Sequence, residues 1–223
     1  MSMASPRNIL LFGPQGSGKG TQGEHLATHF GIPLFGSGAL LREEAKKDTE
    51  RGRYVREELK SGRLVPEAIT NEITFHRLRE PDTESGFILD GFPRNKIQED
   101  ALRAFLAALR GGTRITHIVV LEFSDAEAIE RLSGRRTCSG CGEIYHIVNK
   151  PPAKDGICDK CGGKLIQRSD DTPEALQKRL SIYHADTAPL LADYERDGIV
   201  HRIDARGTID EVFNRMVKAI EGE

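Results

Sequence analysis

The chain has 223 residues, with 32 Lys+Arg against 34 Asp+Glu and 38% hydrophobic residues. That mixture is the one a globular domain carries, and the near balance of charge excludes a general nucleic-acid or polybasic membrane binder. The longest apolar runs, at 9–12 and 118–121, fall far short of the roughly 18 residues that a membrane-crossing helix needs. With no signal-peptide pattern at the N-terminus, the expectation is a cytoplasmic protein. Short apolar or β-branched runs at 8–12, 32–35, 87–90, 117–123 and 199–203 predict five strands. They alternate with longer helical patterns, so the expected architecture is α/β with a parallel sheet between helical layers.

Between the strands the chain carries readable punctuation. After the first run comes Gly13-Pro14-Gln15-Gly16-Ser17-Gly18-Lys19-Gly20-Thr21, then a helical segment. From 37 to 80 strand signals vanish, and charged helical pieces broken at Gly52, Gly62 and Pro66 predict a small helical insertion. Ser124 with Glu127 and Thr208 with Glu211 have the spacing of reciprocal helix caps. Thr172-Pro173 opens another helix, since proline at the first position lacks an amide that would go unpaired. The stretch 136–167 is Gly/Pro-rich, poor in apolar residues and holds all four cysteines.

Four groups of residues carry chemistry. The glycine-rich run sits between a strand and a helix, which is the context of a phosphate-binding loop. Its amides turn toward one anion, the helix N-terminus adds partial positive charge, and Lys19 supplies a mobile cation. Gly20 stands where many such loops carry a magnesium-ligating hydroxyl, with Thr21 one place later. Asp90 ends a buried-type strand, a placement that suits Mg²⁺ held through water. Gly91-Phe92-Pro93-Arg94 then delivers a guanidinium fork beside that carboxylate. Arg131 and Arg135 are four apart near a predicted helix end and share a face, which favours a bound anion. Cys138-Ser139-Gly140-Cys141 and Cys158-Asp159-Lys160-Cys161 match a four-thiolate zinc knuckle. Such a closed shell leaves no position for water, so the expected role is structural. The segment from Arg135 to Arg168 holds seven Lys/Arg and three Asp/Glu, so basic charge is concentrated there.

The set of Gly16 to Thr21, Asp90 to Arg94, Gly134-Arg135-Arg136 and Arg168 with Asp170-Asp171 resembles the adenylate kinase family in its long-lid, zinc-containing form, in order along nearly the whole chain. The resemblance implies a three-layer P-loop nucleoside monophosphate kinase fold. Its core would be 1–36, 67–134 and 169–223, with an NMP-binding insertion at 37–66 and a lid at 135–168. It implies ATP + AMP ⇌ 2 ADP with Mg²⁺, ATP, AMP and ADP as the only partners, no nucleic acid, no membrane, and a monomer. A uridylate/cytidylate kinase is the nearest alternative, and a zinc-ribbon nucleic-acid-binding ATPase a more distant one.

By the same resemblance Lys19, Arg94, Arg131, Arg135, Arg168 and Arg179 act on the phosphates. ATP would be held by Gly16, Ser17, Gly18, Lys19, Gly20, Thr21, Arg131, Arg135, Ile144, Tyr145 and Gly207. AMP would be held by Ser37, Arg42, Arg63, Leu64, Val65, Gly91, Phe92, Pro93, Arg94, Gln98, Arg168 and Arg179, with Gln98 on the base. A Gln amide donates and accepts at once, which matches the edge of adenine. Ala39 stands where the family pattern has Asp, so fewer carboxylates face the magnesium-bound water. Gly134 and the loop near Gln167 are candidate hinges, and the lone His146 reads as structural.

Overall fold

The computed structural model describes residues 6–61, 63, 65–167 and 173–222, with the backbone alone at Pro173. Five strands, β1 (Arg7–Phe12), β2 (Leu34–Gly36), β3 (Gly86–Asp90), β4 (His117–Glu122) and β8 (Val200–Asp204), form one sheet in the order β2-β3-β1-β4-β8. Every pairing in it is parallel. Alternate residues explain the layers. Leu10, Phe12, Phe87, Leu89, Ile118 and Val120 face one way, onto Leu102 and Leu106 of α5 (Lys96–Ala108) and Tyr194 of α8 (Leu191–Arg196). Ile9, Leu11, Ile88, Val119 and Leu121 face the other way, onto Leu26 of α1 (Lys19–Phe30) and Val212 and Met216 of α9 (Ile209–Glu221). Strands buried on both faces read as continuous apolar runs, which is why four of the five are so visible in the sequence. β2 is shorter than the expected 32–35 run: Gly31 ends α1 in a left-handed conformation, and Pro33 has no amide, offering only its carbonyl to Ile88 N–H at 2.8 Å.

β1 is central, with β3 on one side and β4 on the other, so successive connections leave it in opposite directions. In open parallel sheets that reversal opens a crevice beyond the carboxyl ends of the strands, and both Gly13 and Asp90 lie at that end. Two smaller units flank the crevice. The first contains α2 (Ser37–Glu44), α3 (Glu50–Ser61) and α4 (Glu67–Leu78), packed on their own cluster of Leu41, Val55 and Ile73. Gly52, expected as a break, lies inside α3; the break comes before it. A Cβ there would meet the carbonyls of Glu44, at 2.8 Å, and Lys47, so glycine lets the end of α2 approach α3. Pro66 stands at the break before α4, as expected, and Gly62 lies outside the described residues.

The second unit follows α6 (Asp125–Ser133). It is a three-stranded antiparallel sheet, β6-β5-β7, made of β5 (Arg135–Cys138), β6 (Ile144–His146) and β7 (Leu165–Ile166), around Cys138, Tyr145, Cys158 and Leu165. The sequence pattern showed no strands here, because segments of two to four residues are too short to display a period. α7 (Pro173–Ile182) begins at the expected proline; Thr172 lies outside the described residues. Among the described residues no helix is long and apolar enough to cross a membrane.

Both expected capping boxes form, Ser124 with Glu127 and Thr208 with Glu211. Thr208→Ala removes an acceptor for the Glu211 amide, and by the usual cost of losing such a cap it should destabilise the protein by about 1 kcal/mol. Thr208→Gly should cost a few tenths; urea denaturation of both variants checks the order.

Candidate active site

The loop after β1 closes around the Lys19 ammonium. Gly13, Gly16 and Gly18 have φ of 142°, 88° and 93°, which L side chains rarely adopt. A Cβ on Gly13 would sit 2.7 Å from the Leu121 carbonyl, and one on Gly16 2.8 Å from that of Ala128, so the loop is pressed against β4 and α6. Lys19 Nζ donates to the carbonyls of Gly13 at 2.7 Å and Pro14 at 2.8 Å, with Ser17 Oγ at 3.5 Å. Thr21 follows in the first turn of α1. The place a side chain on Gly20 would take is covered by Ile144 of β6, whose Cδ1 lies 3.6 Å from the Cβ position.

Opposite the loop, Asp90 ends β3 between Leu11 of β1 and Gly36 of β2. Gly91-Phe92-Pro93 turns the chain through a cis Phe92–Pro93 peptide. Arg94 Nε then donates back to the Gly91 carbonyl at 2.8 Å. Arg94 is fixed at both ends of its peptide unit: its N–H donates to Gln98 Oε1 at 2.9 Å and its carbonyl accepts from Thr187 Oγ1 at 2.7 Å. Gln98 is buried, and Asn95 caps α5 on its amide at 3.0 Å. Ser37, also buried, donates to the Gly91 carbonyl at 2.8 Å. The turn thus joins α2, β3, α5 and the π-helical turn Tyr183–Thr187 at one point.

Electrostatics marks the same place. Loss of hydration brings the Lys19 ammonium down to about 8; Asp90 opposes this, while Arg94, Arg179 and Arg135 add to it. Arg94 is lowered by desolvation and by Arg179 and Arg42, again against Asp90. Lys19, Arg42, Arg94, Arg135 and Arg179, from the loop, α2, the Gly91 turn, β5 and α7, therefore act on one another's charge, with Asp90 opposing them at both Lys19 and Arg94. A site of that kind is built for polyanions.

Other expected residues are placed differently. Arg131 has its own partners: its guanidinium lies over the Phe123 ring, 4.0 Å from the centroid, and donates to the Ala205 carbonyl at 3.1 Å. The Tyr145 ring is buried in the core of the small sheet, so any contact with a nucleotide base falls to its backbone. Arg63 forms a two-pronged ion pair with Glu58 at 2.8 and 2.9 Å, beside Val65 in the connection to α4. Gly207 has φ of 108° in the loop after β8. Leu64, Arg168, Asp170 and Asp171 lie outside the described residues. The sequence reading missed Phe123 and Thr187. An aromatic directly after β4 was a signal for the first, whereas nothing local marked the second.

The cysteines converge. All four sulfurs lie within 4.8 Å of one another, with Cys138–Cys161 at 3.4 Å and Cys141–Cys158 at 3.6 Å. A tetrahedron of thiolates about 2.3 Å from zinc has edges of about 3.8 Å, so the cluster has the right size. Gly140 and Cys141 amides point at Cys138 Sγ at 3.4 and 3.5 Å, as hydrogen bonds to a thiolate require. The residues present fit a structural Cys₄ zinc site. This zinc-binding unit lies over α1: besides the Ile144 contact, loss of hydration and then Glu143 raise the Glu24 carboxyl, against Lys150 and Lys160.

Fold and site together define a P-loop nucleoside monophosphate kinase with a helical insertion and a zinc-binding lid. The adenylate kinase family model matches residues 11–199. The chain is 43% identical to adenylate kinase of Caldicellulosiruptor saccharolyticus over 212 residues, covering 95% of this chain and 98% of the relative. It is 42% identical over 215 residues to that of Caldanaerobacter subterraneus subsp. tengcongensis, covering 96% of each. Over 214 residues it is 41% identical to that of Geobacter sulfurreducens, covering 96% and 98%. The chain belongs to the adenylate kinase family.

The depressed Lys19 predicts a pH effect on anion binding. Above about pH 8 the ligand-free lysine is largely neutral, and a bound polyphosphate restores its charge. Tripolyphosphate should therefore bind with proton uptake there and lose affinity as pH rises through that value. Titration calorimetry in buffers of different ionisation heat reads this directly; the absence of uptake would show Lys19 already charged. In the ligand-free protein the sign is opposite: the unfolded chain holds this proton more tightly, so folding stability gains from Lys19 between about pH 8 and 10.5.

Proposed function

We propose that the protein catalyses reversible, magnesium-dependent phosphoryl transfer from ATP to AMP, giving two ADP. The observation that carries this reading is Lys19 held in the phosphate loop and Arg94 held on the Gly91 turn, with Asp90 and the charges of Arg42, Arg135 and Arg179 acting on them. An oxygen of the AMP phosphate attacks the γ-phosphorus of ATP, the new O–P bond forms as the bond to the β-phosphate oxygen breaks, and ADP leaves. The attacking oxygen is already ionised, so no general base is needed. What remains is to hold two anions in line and neutralise them.

Each residue then has a task. Gly16 to Thr21 cradle the ATP phosphates, and Lys19 follows the transferring charge. Arg42 and Arg94 grip the AMP phosphate, and Arg135, Arg168 and Arg179 neutralise the group in flight. Gln98 keeps its oxygen on the Arg94 amide, which leaves its NH₂ as the donor for the base. Arg131, flat on Phe123, is better suited to the nucleoside end of ATP than to its phosphates. Magnesium, when bound with ATP, screens the β- and γ-oxygens, and Asp90 would hold it through its waters; an acceptor-only carboxylate among cations suits a hard ion. Zinc, when bound to Cys138, Cys141, Cys158 and Cys161, cross-links the lid.

In this reading 37–66 receives AMP, 135–168 closes over ATP, and 1–36, 67–134 and 169–223 form the body. The four thiols call for a reducing compartment, in keeping with a cytoplasmic monomer.

ADP formation should be fastest with AMP as acceptor; preference for UMP or CMP, or acceptor-independent phosphate release stimulated by nucleic acid, would overturn the assignment. Arg94→Ala should lower kcat by about 100-fold or more while leaving the circular dichroism spectrum unchanged. Near-normal turnover in that variant would remove Arg94 from the site. Extracting zinc with a chelator should produce a separate, earlier melting transition for the lid, because four buried side chains are too small a core to hold it; scanning calorimetry checks this.

A further inference from the structure

We propose that Tyr145 is a positioning residue of the lid metal centre, its hydroxyl donating to the Cys158 thiolate and fixing the second knuckle. The Tyr145 ring is almost fully buried among Cys138, Cys158 and Leu165. Its oxygen lies 3.6 Å from Cys158 Sγ and 2.8 Å from the Asp159 amide. These two contacts fix the direction of the bonds. The Asp159 N–H can only donate, so the phenol oxygen accepts there, and its own hydrogen is left for the sulfur. A metal-bound thiolate has no hydrogen, so it can only accept.

The arrangement also joins the two halves of the metal site. Tyr145 belongs to β6, paired with β5 at Arg136, and β5 ends in Cys138 of the first knuckle. Its hydroxyl holds sulfur and amide of consecutive residues in the second knuckle, and Asp159 in turn accepts from the Ala153 amide at 3.0 Å. The hydroxyl therefore orients Cys158 through the sulfur and through the backbone beside it. A hydrogen bond from a neutral donor draws electron density off the sulfur, and such outer contacts commonly change metal affinity by about 10- to 100-fold.

The test uses the full-length protein loaded with zinc for exchange measurements and with cobalt(II) for spectroscopy. In Tyr145→Phe the thiolate-to-cobalt charge-transfer band should move to lower energy, and zinc should pass to the chelator 4-(2-pyridylazo)resorcinol about tenfold faster or more. Leu165→Ala loosens the same core and keeps the hydroxyl, so release should quicken with the band in place. A Tyr145→Phe band at the wild-type position overturns the proposal, as does zinc release no faster than wild type. Should Tyr145→Phe take up no metal, replacing the four tyrosines with 3-fluorotyrosine keeps ring and hydroxyl. The more acidic phenol is the stronger donor, so the band should move to higher energy; no movement, or movement the other way, refutes the assignment.

Discussion

Mutual repulsion among cations is the constraint around which this molecule is organised. Lys19, Arg42, Arg94, Arg135 and Arg179 come from widely separated parts of the chain, yet each lies close enough to shift the ionisation of Lys19 or Arg94, or is itself one of that pair. Asp90 acts against the others at both Lys19 and Arg94. Backbone carbonyls hold two members of the group: those of Gly13 and Pro14 on Lys19, and that of Gly91 on Arg94, each at 2.7 to 2.8 Å. Those carbonyls are positioned by the ends of β1 and β3, whose side chains are packed on both faces. The sheet supplies the rigidity, and the site draws on it.

Much of this was legible in the sequence, for different reasons in different places. β1, β3, β4 and β8 were visible because both their faces are covered, and the phosphate loop because glycine, lysine and helix start fall at fixed spacing. Four cysteines in two short pairs could hardly point elsewhere. What escaped were commitments made between distant residues. The seat of Arg131 on the Phe123 ring and the Ala205 carbonyl is one of them. The reach of the Tyr145 hydroxyl to Cys158 is another. Gly52 reads as a helix break, yet it serves a close crossing of α2 and α3 that no local pattern encodes.

Body and lid are stabilised by different physics. The body has two large apolar clusters, one on each face of the sheet. Among the described residues the lid has four buried side chains, two of them cysteines. With so small a core, a metal held by the four thiolates would add most of its cohesion. Contacts such as Ile144 over Gly20 then bring a separately held unit against the helix that starts at the phosphate loop.

Gly134 marks where that unit departs from α6. Its φ of −84° is one that any residue adopts, so torsional freedom does not account for it. A Cβ there would stand 2.5 Å from His146 Nε2 and 3.1 Å from Ile147 Cγ1. The imidazole is itself held, accepting on Nδ1 from the amides of Val148 and Asn149 at 3.0 and 3.1 Å. The joint is thus a matter of clearance rather than pliancy: a slender axle passes beneath a ring that cannot step aside, and even a methyl group would jam it.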